Sequence, residues 1–227
     1  MSAEELGKIP KRKIENITTK RKAYLVAMLP NIPFSEEYTE KLKNYWDAID
    51  AHITQMESKA GPIKKIFVEG IIGKGDDAEL MLEKSSPLTL PIIKSRLSSG
   101  AKFESYEEKE LFEKFIDLGR CLQMGLISEY VTNLITTEYK NTSEQRYKQI
   151  INNLDQSVED GEGMLLIGSD IQNVIPDDME KFFISPPELD DIHRWIRDNA
   201  NNLSQQQTTE EPTESEDKKD SKLWTPD

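Results

Sequence analysis

Three short, largely apolar runs limit what this chain can fold into, because apolar runs of strand length are typical of strands buried on both faces of a sheet. They lie at residues 23–29, 63–72 and 164–167. An amphipathic segment between the first two runs is opened by Ser35 and ended by Gly61. A strand, a helix and a strand of these lengths predict a βαβ unit with a right-handed crossover.

The segment 161–198 predicts the remainder of the sheet. Two glycines precede the third apolar run, a loop follows it, and residues 181–184 form a further candidate strand. Ser185 then suits the N-cap of a helix whose first turn is acidic. We therefore predict an α/β protein with a mixed sheet flanked by helices.

Between the second and third runs, the spacing of apolar residues predicts a helical middle section. The predicted helices span 76–83, 87–97, 104–124, 128–139 and 143–158. The helix at 104–124 has the strongest apolar stripe, which we expect to face inward: Leu111, Phe112, Phe115, Ile116, Leu118 and Leu122.

Composition divides the chain into four parts. Residues 1–21 predict a flexible basic arm, and residues 22–100 predict an α/β part. Residues 101–198 predict a helical and α/β part that could form one domain with 22–100. The segment 199–227 predicts a disordered acidic tail, in which Trp224 marks either a docking peptide or an ordinary terminus.

The net charge of -13 argues against nucleic-acid binding, since a protein that neutralises phosphates needs clustered cations. Cys121 is the sole cysteine, which excludes an intramolecular disulfide and favours the cytoplasm. Only His52 and His193 are histidines, so we predict no metal site. No apolar segment reaches the length of a membrane span, and we expect no membrane contact.

Gly73, Lys74 and Gly75 open a G-x-G-x-x-A pattern between a predicted strand and a predicted helix. Such glycines allow a backbone to approach a pyrophosphate at a helix N-terminus. Asp76 and Asp77 occupy the place of the phosphate charge, which favours a simple turn instead. We expect no cofactor, and we keep this loop as a candidate ligand site.

Arg120, His193 and Arg194 are candidate partner-binding residues. Arg120 precedes Cys121 in a predicted helix, and His193 stands beside Arg194 in the last one. An acid/base role of His193 is the sharper interpretation, and an exposed helix residue is the simpler one.

Two segments resemble an uncharacterised prokaryotic protein family without assigned activity: DLGRCL at 117–122 and SPPELDDIHRW at 185–195. The resemblance covers about residues 22–198. The order of elements in the C-terminal part is also loosely similar to the last domain of archaeal release factors and Pelota. Those domains mediate contacts within translation complexes, which implies binding and not catalysis.

These observations favour a non-enzymatic cytosolic binding or adaptor protein, with a protein or a ribonucleoprotein of the translation machinery as candidate partner. Self-association is compatible with the sequence. The alternative function is an enzyme or sensor that binds a nucleotide or another phosphorylated ligand at 73–78.

Overall fold

The computed structural model describes residues 19–31, 35–169 and 171–207. Its elements are β1 (Lys22–Ala27), α1 (Glu36–Ala60), β2 (Ile63–Val68), α2 (Asp76–Ser85), a 3-10 turn (Pro87–Thr89), α3 (Leu90–Ser98), β3 (Lys102–Phe103), α4 (Lys109–Gln123), α5 (Glu129–Ser157), β4 (Gly163–Gly168), β5 (Glu180–Ile184) and α6 (Pro187–Gln207). Most of the predicted basic arm and the end of the tail with Trp224 lie outside the described residues.

Five parallel strands form the sheet, in the order β3-β2-β4-β1-β5. The central strand is β4, in which Leu165 lies between Tyr24 of β1 and Ile66 of β2. The predicted α/β class is confirmed. The predicted mixed sheet is wrong, because every strand pair is parallel.

The connection from β4 to β5 explains this difference. A parallel neighbour requires a crossover, and the described residues of this connection, 169 and 171–179, cross β1 without a helix. Four apolar residues of the crossover are buried in one core with α5: Ile171, Val174, Ile175 and Met179. Their burial stabilises the crossover and allows β5 to lie parallel to β1, with Ile184 beside Val26.

The side chains of β1 alternate between two cores. Tyr24 and Val26 belong to the first core, which also contains residues of α1, α2, α3 and α6. Ala23 and Leu25 belong to the second core, with residues of α5 and the crossover. Because both faces are covered, the strand can be apolar throughout.

Helix α1 organises the first core. Its N-cap Ser35 accepts a hydrogen bond from the Tyr38 amide at 3.1 Å. Buried Arg96 of α3 pairs with Asp50 of α1 and, at 3.2 Å, with Glu57 of α1. These ion pairs fix α3 along α1.

Four elements differ from the sequence prediction. Helix α5 is continuous through residues 140–142, where the sequence predicts a break between two helices. Strand β3 has only two residues, too few for a recognisable pattern. Helix α4 begins at Lys109, later than the predicted start at residue 104. Helix α6 continues to Gln207, within the segment predicted to be a disordered tail.

Candidate functional site

Helix α4 and the first half of α5 form an antiparallel hairpin, residues 109–141, which projects from the sheet. Helix α4 contains no buried residue. The buried residues of α5 all follow this segment along the chain: Thr142, Arg146, Ile150 and Leu154. The helical hairpin is therefore anchored only at its base, and its two helices pack chiefly against each other.

Local sequence sets the ends of the two helices. The carboxylate of Glu108 accepts hydrogen bonds from the amides of Glu110 at 3.3 Å and Leu111 at 2.9 Å. Gly125, with φ of 69°, provides the left-handed residue after α4. Ser128 then caps α5, since its hydroxyl accepts from the Val131 amide at 3.4 Å. A short connection between capped helices makes an antiparallel pair.

Aromatic packing and one ion pair hold the two helices together. The rings of Phe115 and Tyr139 stack with centroids 5.0 Å apart. Gly119 lies opposite Tyr139, where an added Cβ would be 3.5 Å from the ring. Lys114 Nζ lies 2.6 Å from Glu138 Oε1. These contacts leave the outer surface of the pair uncovered.

The end of the hairpin is apolar and exposed. We define the hairpin tip as residues 118–134. Met124 is 81% exposed, Tyr130 is 77% exposed and Ile127 is fully exposed. Val131 and Leu134 are also exposed, and among the described residues the only other exposed large apolar side chains are Leu80 and Phe183. An apolar patch concentrated at one projecting end is typical of an interaction surface.

Arg146 anchors the base of the hairpin. Its Nε donates to Glu107 Oε2 at 2.9 Å, and its Nη2 donates to the other oxygen of the same carboxylate. The Glu107 side chain is fully buried. The guanidinium also lies 4.9 Å from the ring centroid of Phe115 and 5.6 Å from that of Phe112. One side chain thus contacts both α4 and the segment that follows β3.

The charge of Arg146 is maintained by its partners. Burial alone would lower the pKa of Arg146, but the hydrogen bonds that Arg146 donates to Glu107 and the charges of Glu107 and Glu69 outweigh it, so the pKa is raised. Burial raises the pKa of the adjacent Tyr106 phenol, which stays neutral. The group is a charged clamp whose donors and acceptors satisfy one another.

Glu69 extends this clamp to the carboxyl ends of the strands. It follows β2, and its Oε1 lies 3.6 Å from Arg146 Nη2. Its Oε2 accepts hydrogen bonds from the amide and the hydroxyl of Ser169, which follows β4, at 2.5 and 2.6 Å. Polar contacts therefore run without interruption from the hairpin base to the centre of the sheet edge.

A cavity of about 370 Å³ lies at this edge, between the segments that follow β1 and β2. Ligands of parallel sheets bind where neighbouring connections leave on opposite faces. Here the segments after β1 and β2, which line the cavity, continue into helices of the first core. The strand between them in the sheet is β4, and the connection that follows it packs in the second core. Glu69 is the only charged residue among the described lining residues, so the cavity offers no cation to an anionic ligand.

The predicted ligand loop lies between β2 and α2, and none of residues 73–78 is among the described residues that line this cavity. Gly73 and Gly75 have positive φ values of 92° and 55°. The Gly73 amide already donates to Ser105 Oγ at 3.2 Å, and the Gly75 amide donates to Phe103 O at 3.1 Å. Lys74 Nζ lies 2.9 Å from Glu104 Oε2. Phosphoryl binding at this loop stays a prediction. It would require the two amides and Lys74 to give up these partners for the phosphoryl group.

The three predicted partner-binding residues fall into two groups. Arg120 lies in the hairpin tip and pairs with Asp117 at 3.3 Å. His193 and Arg194 are exposed on α6, and Arg194 lies 3.8 Å from Asp191. Helix α6 packs in the first core, whereas the base of the hairpin belongs to the second. The structure does not bring these residues into one site.

Sequence reasoning missed the Glu107–Arg146 pair. Arg146 stands four residues before Ile150 and eight before Leu154, so it lies on the stripe that faces the core. A cation on an inward stripe signals a buried acid, but the pattern does not say which of the 42 acidic residues it is.

No protein-family model, no curated protein and no solved structure matches this chain. Within the part of the chain that the structure describes, no helix is both long and apolar enough to cross a membrane. The same residues contain no group of three or more histidine, cysteine, aspartate or glutamate side chains placed to hold a metal ion.

Proposed function

We propose that this chain is a non-enzymatic binding or adaptor protein and that the helical hairpin is the surface by which it contacts another protein. The exposed apolar tip is the observation that carries this proposal. Apolar side chains gathered at a projecting end remain in water unless a partner covers them. The clamp at Arg146 supports the same interpretation, because it holds the hairpin at a fixed place on the sheet.

The chemistry of the tip favours a protein partner over a nucleic acid. Arg120 and Glu129 are the only charged residues between 118 and 134, so the tip lacks the cations that phosphate contacts require. A convex pair of helices suits an apolar groove on another protein. We propose the translation machinery as the setting in which the protein acts, and a protein chain, not a nucleic acid, as what covers the tip.

Affinity capture with matched variants tests this function. The wild-type chain, Ile127→Glu and Leu80→Glu are compared, because both replaced side chains are exposed but only Ile127 lies in the tip. We expect Leu80→Glu to retain the partners of the wild type and Ile127→Glu to lose them, measured by quantitative mass spectrometry and by co-sedimentation with ribosomes. If both variants retained the partners equally, the hairpin would not be the partner-binding surface.

The alternative function is a nucleotide or phosphoryl-ligand protein that uses Gly73, Lys74 and Gly75. The positive φ values of the two glycines favour it, since such loops let a backbone approach a phosphate. A ligand at 100 times its Kd would stabilise the fold by about 2.7 kcal/mol in a thermal-shift screen. Stabilisation that Lys74→Ala abolishes would support this alternative, and no stabilisation would argue against it.

A further inference from the structure

We infer that the protein on the hairpin tip is a second copy of this chain, so that two hairpins pack into a two-fold four-helix bundle. This inference rests on the proposed role of the hairpin as a contact surface. Three properties of the hairpin carry it: an incompletely covered apolar stripe, the area that the tip exposes, and the distribution of charge.

The apolar stripe of α4 is wider than one neighbouring helix can cover. Phe115 and Gly119 face Tyr139 of α5, and further apolar residues flank them on both sides. None of these residues is buried, although α5 runs alongside. In a four-helix bundle, each helix contacts two neighbours around a shared core. A second hairpin would supply the missing neighbour.

The exposed area of the tip is sufficient for a dimer. The five exposed apolar residues are Met124, Ile127, Tyr130, Val131 and Leu134. Together they present on the order of 600 Å² in one copy, so that a two-fold contact would bury about 1,200 Å², the lower end of specific interfaces. A two-fold contact uses each of these side chains twice.

Charge favours the tip as the place where two copies meet. The whole chain carries -13, and two copies repel each other over most of their surfaces. The tip carries one Arg and one Glu, and its net charge is zero. Within the described part of the chain, exposed Arg120 pairs only with exposed Asp117, and Glu129 forms no ion pair there. In a two-fold contact, Arg120 of each copy can face Glu129 of the other.

Sedimentation equilibrium of the full chain tests the dimer. We expect a wild-type mass of twice 26.1 kDa, falling toward 26.1 kDa on dilution. Ile127→Glu should sediment as a monomer, and Leu80→Glu should remain dimeric. Ile127 is fully exposed, so circular dichroism of this variant should match the wild type. A monomeric wild type at the highest concentration, or a dimer unaffected by Ile127→Glu, would overturn the inference.

Charge exchange separates self-association from other contacts. Arg120→Glu and Glu129→Arg should each weaken the dimer by about tenfold, because each places like charges across the contact twice. The double variant should recover the wild-type Kd, since every copy then carries the exchanged pair. Failure of the double variant to recover would overturn the inferred pairing. A monomer whose captured partners are lost in Ile127→Glu would overturn the dimer and leave the proposed function standing.

Discussion

Arg146 bonds the buried carboxylate of Glu107 through two donors, and this pair joins the helical hairpin to the sheet. Glu107 also accepts from the Gly70 amide at 3.4 Å, in the segment that follows β2. Because both charges are withdrawn from water, each depends on the other for compensation. The pair therefore determines where the hairpin sits and how firmly it is held.

Removing one member of this pair should strongly destabilise the fold. Arg146→Met leaves the Glu107 carboxylate buried without a counter-charge, at a cost of about 3–5 kcal/mol in the free energy of unfolding. Urea unfolding measures this loss. Arg194→Met is the control, because Arg194 forms an exposed ion pair, and it should change stability by about 0.5 kcal/mol or less.

The double variant Glu107→Leu with Arg146→Met should recover most of that stability, because no unpaired charge then remains in the interior. A loss of less than about 1 kcal/mol in the single Arg146 variant would show that the pair is not a clamp.

Replacing two different glycines by alanine should change the stability of the fold in opposite directions. At Gly168, a Cβ would lie 2.8 Å from Ile171 Cγ2 and 3.0 Å from Glu69 Oε2, so we expect a loss of about 1–3 kcal/mol. At Gly119, it would lie at an ordinary 3.5 Å from Tyr139, and the helix should gain about 0.5–1 kcal/mol. Thermal unfolding of the two variants measures both changes in stability. A destabilised Gly119→Ala would contradict the described hairpin packing.

Acid should release the ion pairs at Glu104. Burial alone would raise the pKa of Glu104, but Lys74 and Lys65 outweigh it and hold the pKa below its ordinary 4.5. A carboxylate whose pKa is lower in the folded state stabilises the fold at pH values above its ordinary pKa. This stabilisation is lost as the pH falls through the lower, folded-state pKa. Glu104→Gln should therefore cost about 1 kcal/mol at neutral pH and progressively less below pH 4.5. A pH-independent difference would exclude this role.

Alkali should act on Tyr24. Burial, with a smaller effect of the Glu57 charge, raises the pKa of Tyr24 to about 12. Its hydroxyl donates to Gly61 O at 2.6 Å. The contribution of this tyrosine is complete below pH 10 and is lost as the pH rises toward 12. Tyr24→Phe should lower the free energy of unfolding by about 1 kcal/mol at neutral pH. As the pH rises, the stability of this variant should decline less than that of the wild type, as measured by urea unfolding.

Burial patterns predict most of the fold from sequence. The apolar runs around Tyr24, Ile66 and Leu165 are confirmed as neighbouring strands, because strands covered on both faces are largely apolar. The direction of β5 could not be predicted, since a five-residue strand carries no record of its orientation. That direction follows from long-range burial of the crossover residues.

The candidate site was less predictable. The stripe at Phe112 and Phe115 shows that one face of α4 is apolar, but it does not say what covers that face. We expected burial, and the structure shows a projecting hairpin. Glu107 and Arg146 are 39 residues apart, and no local pattern connects them. Pairings of this kind depend on the assembled sheet.

Site-specific photo-crosslinking tests whether the hairpin tip contacts another protein chain. A photoreactive residue replaces Ile127 in the tip, and in a matched variant it replaces Phe183, which is exposed on β5. We expect a discrete crosslinked product from position 127, mapped by mass spectrometry to one surface of one protein, and no such product from position 183. An unlinked position 127, or the same product from both positions, would contradict the contact proposed for the tip.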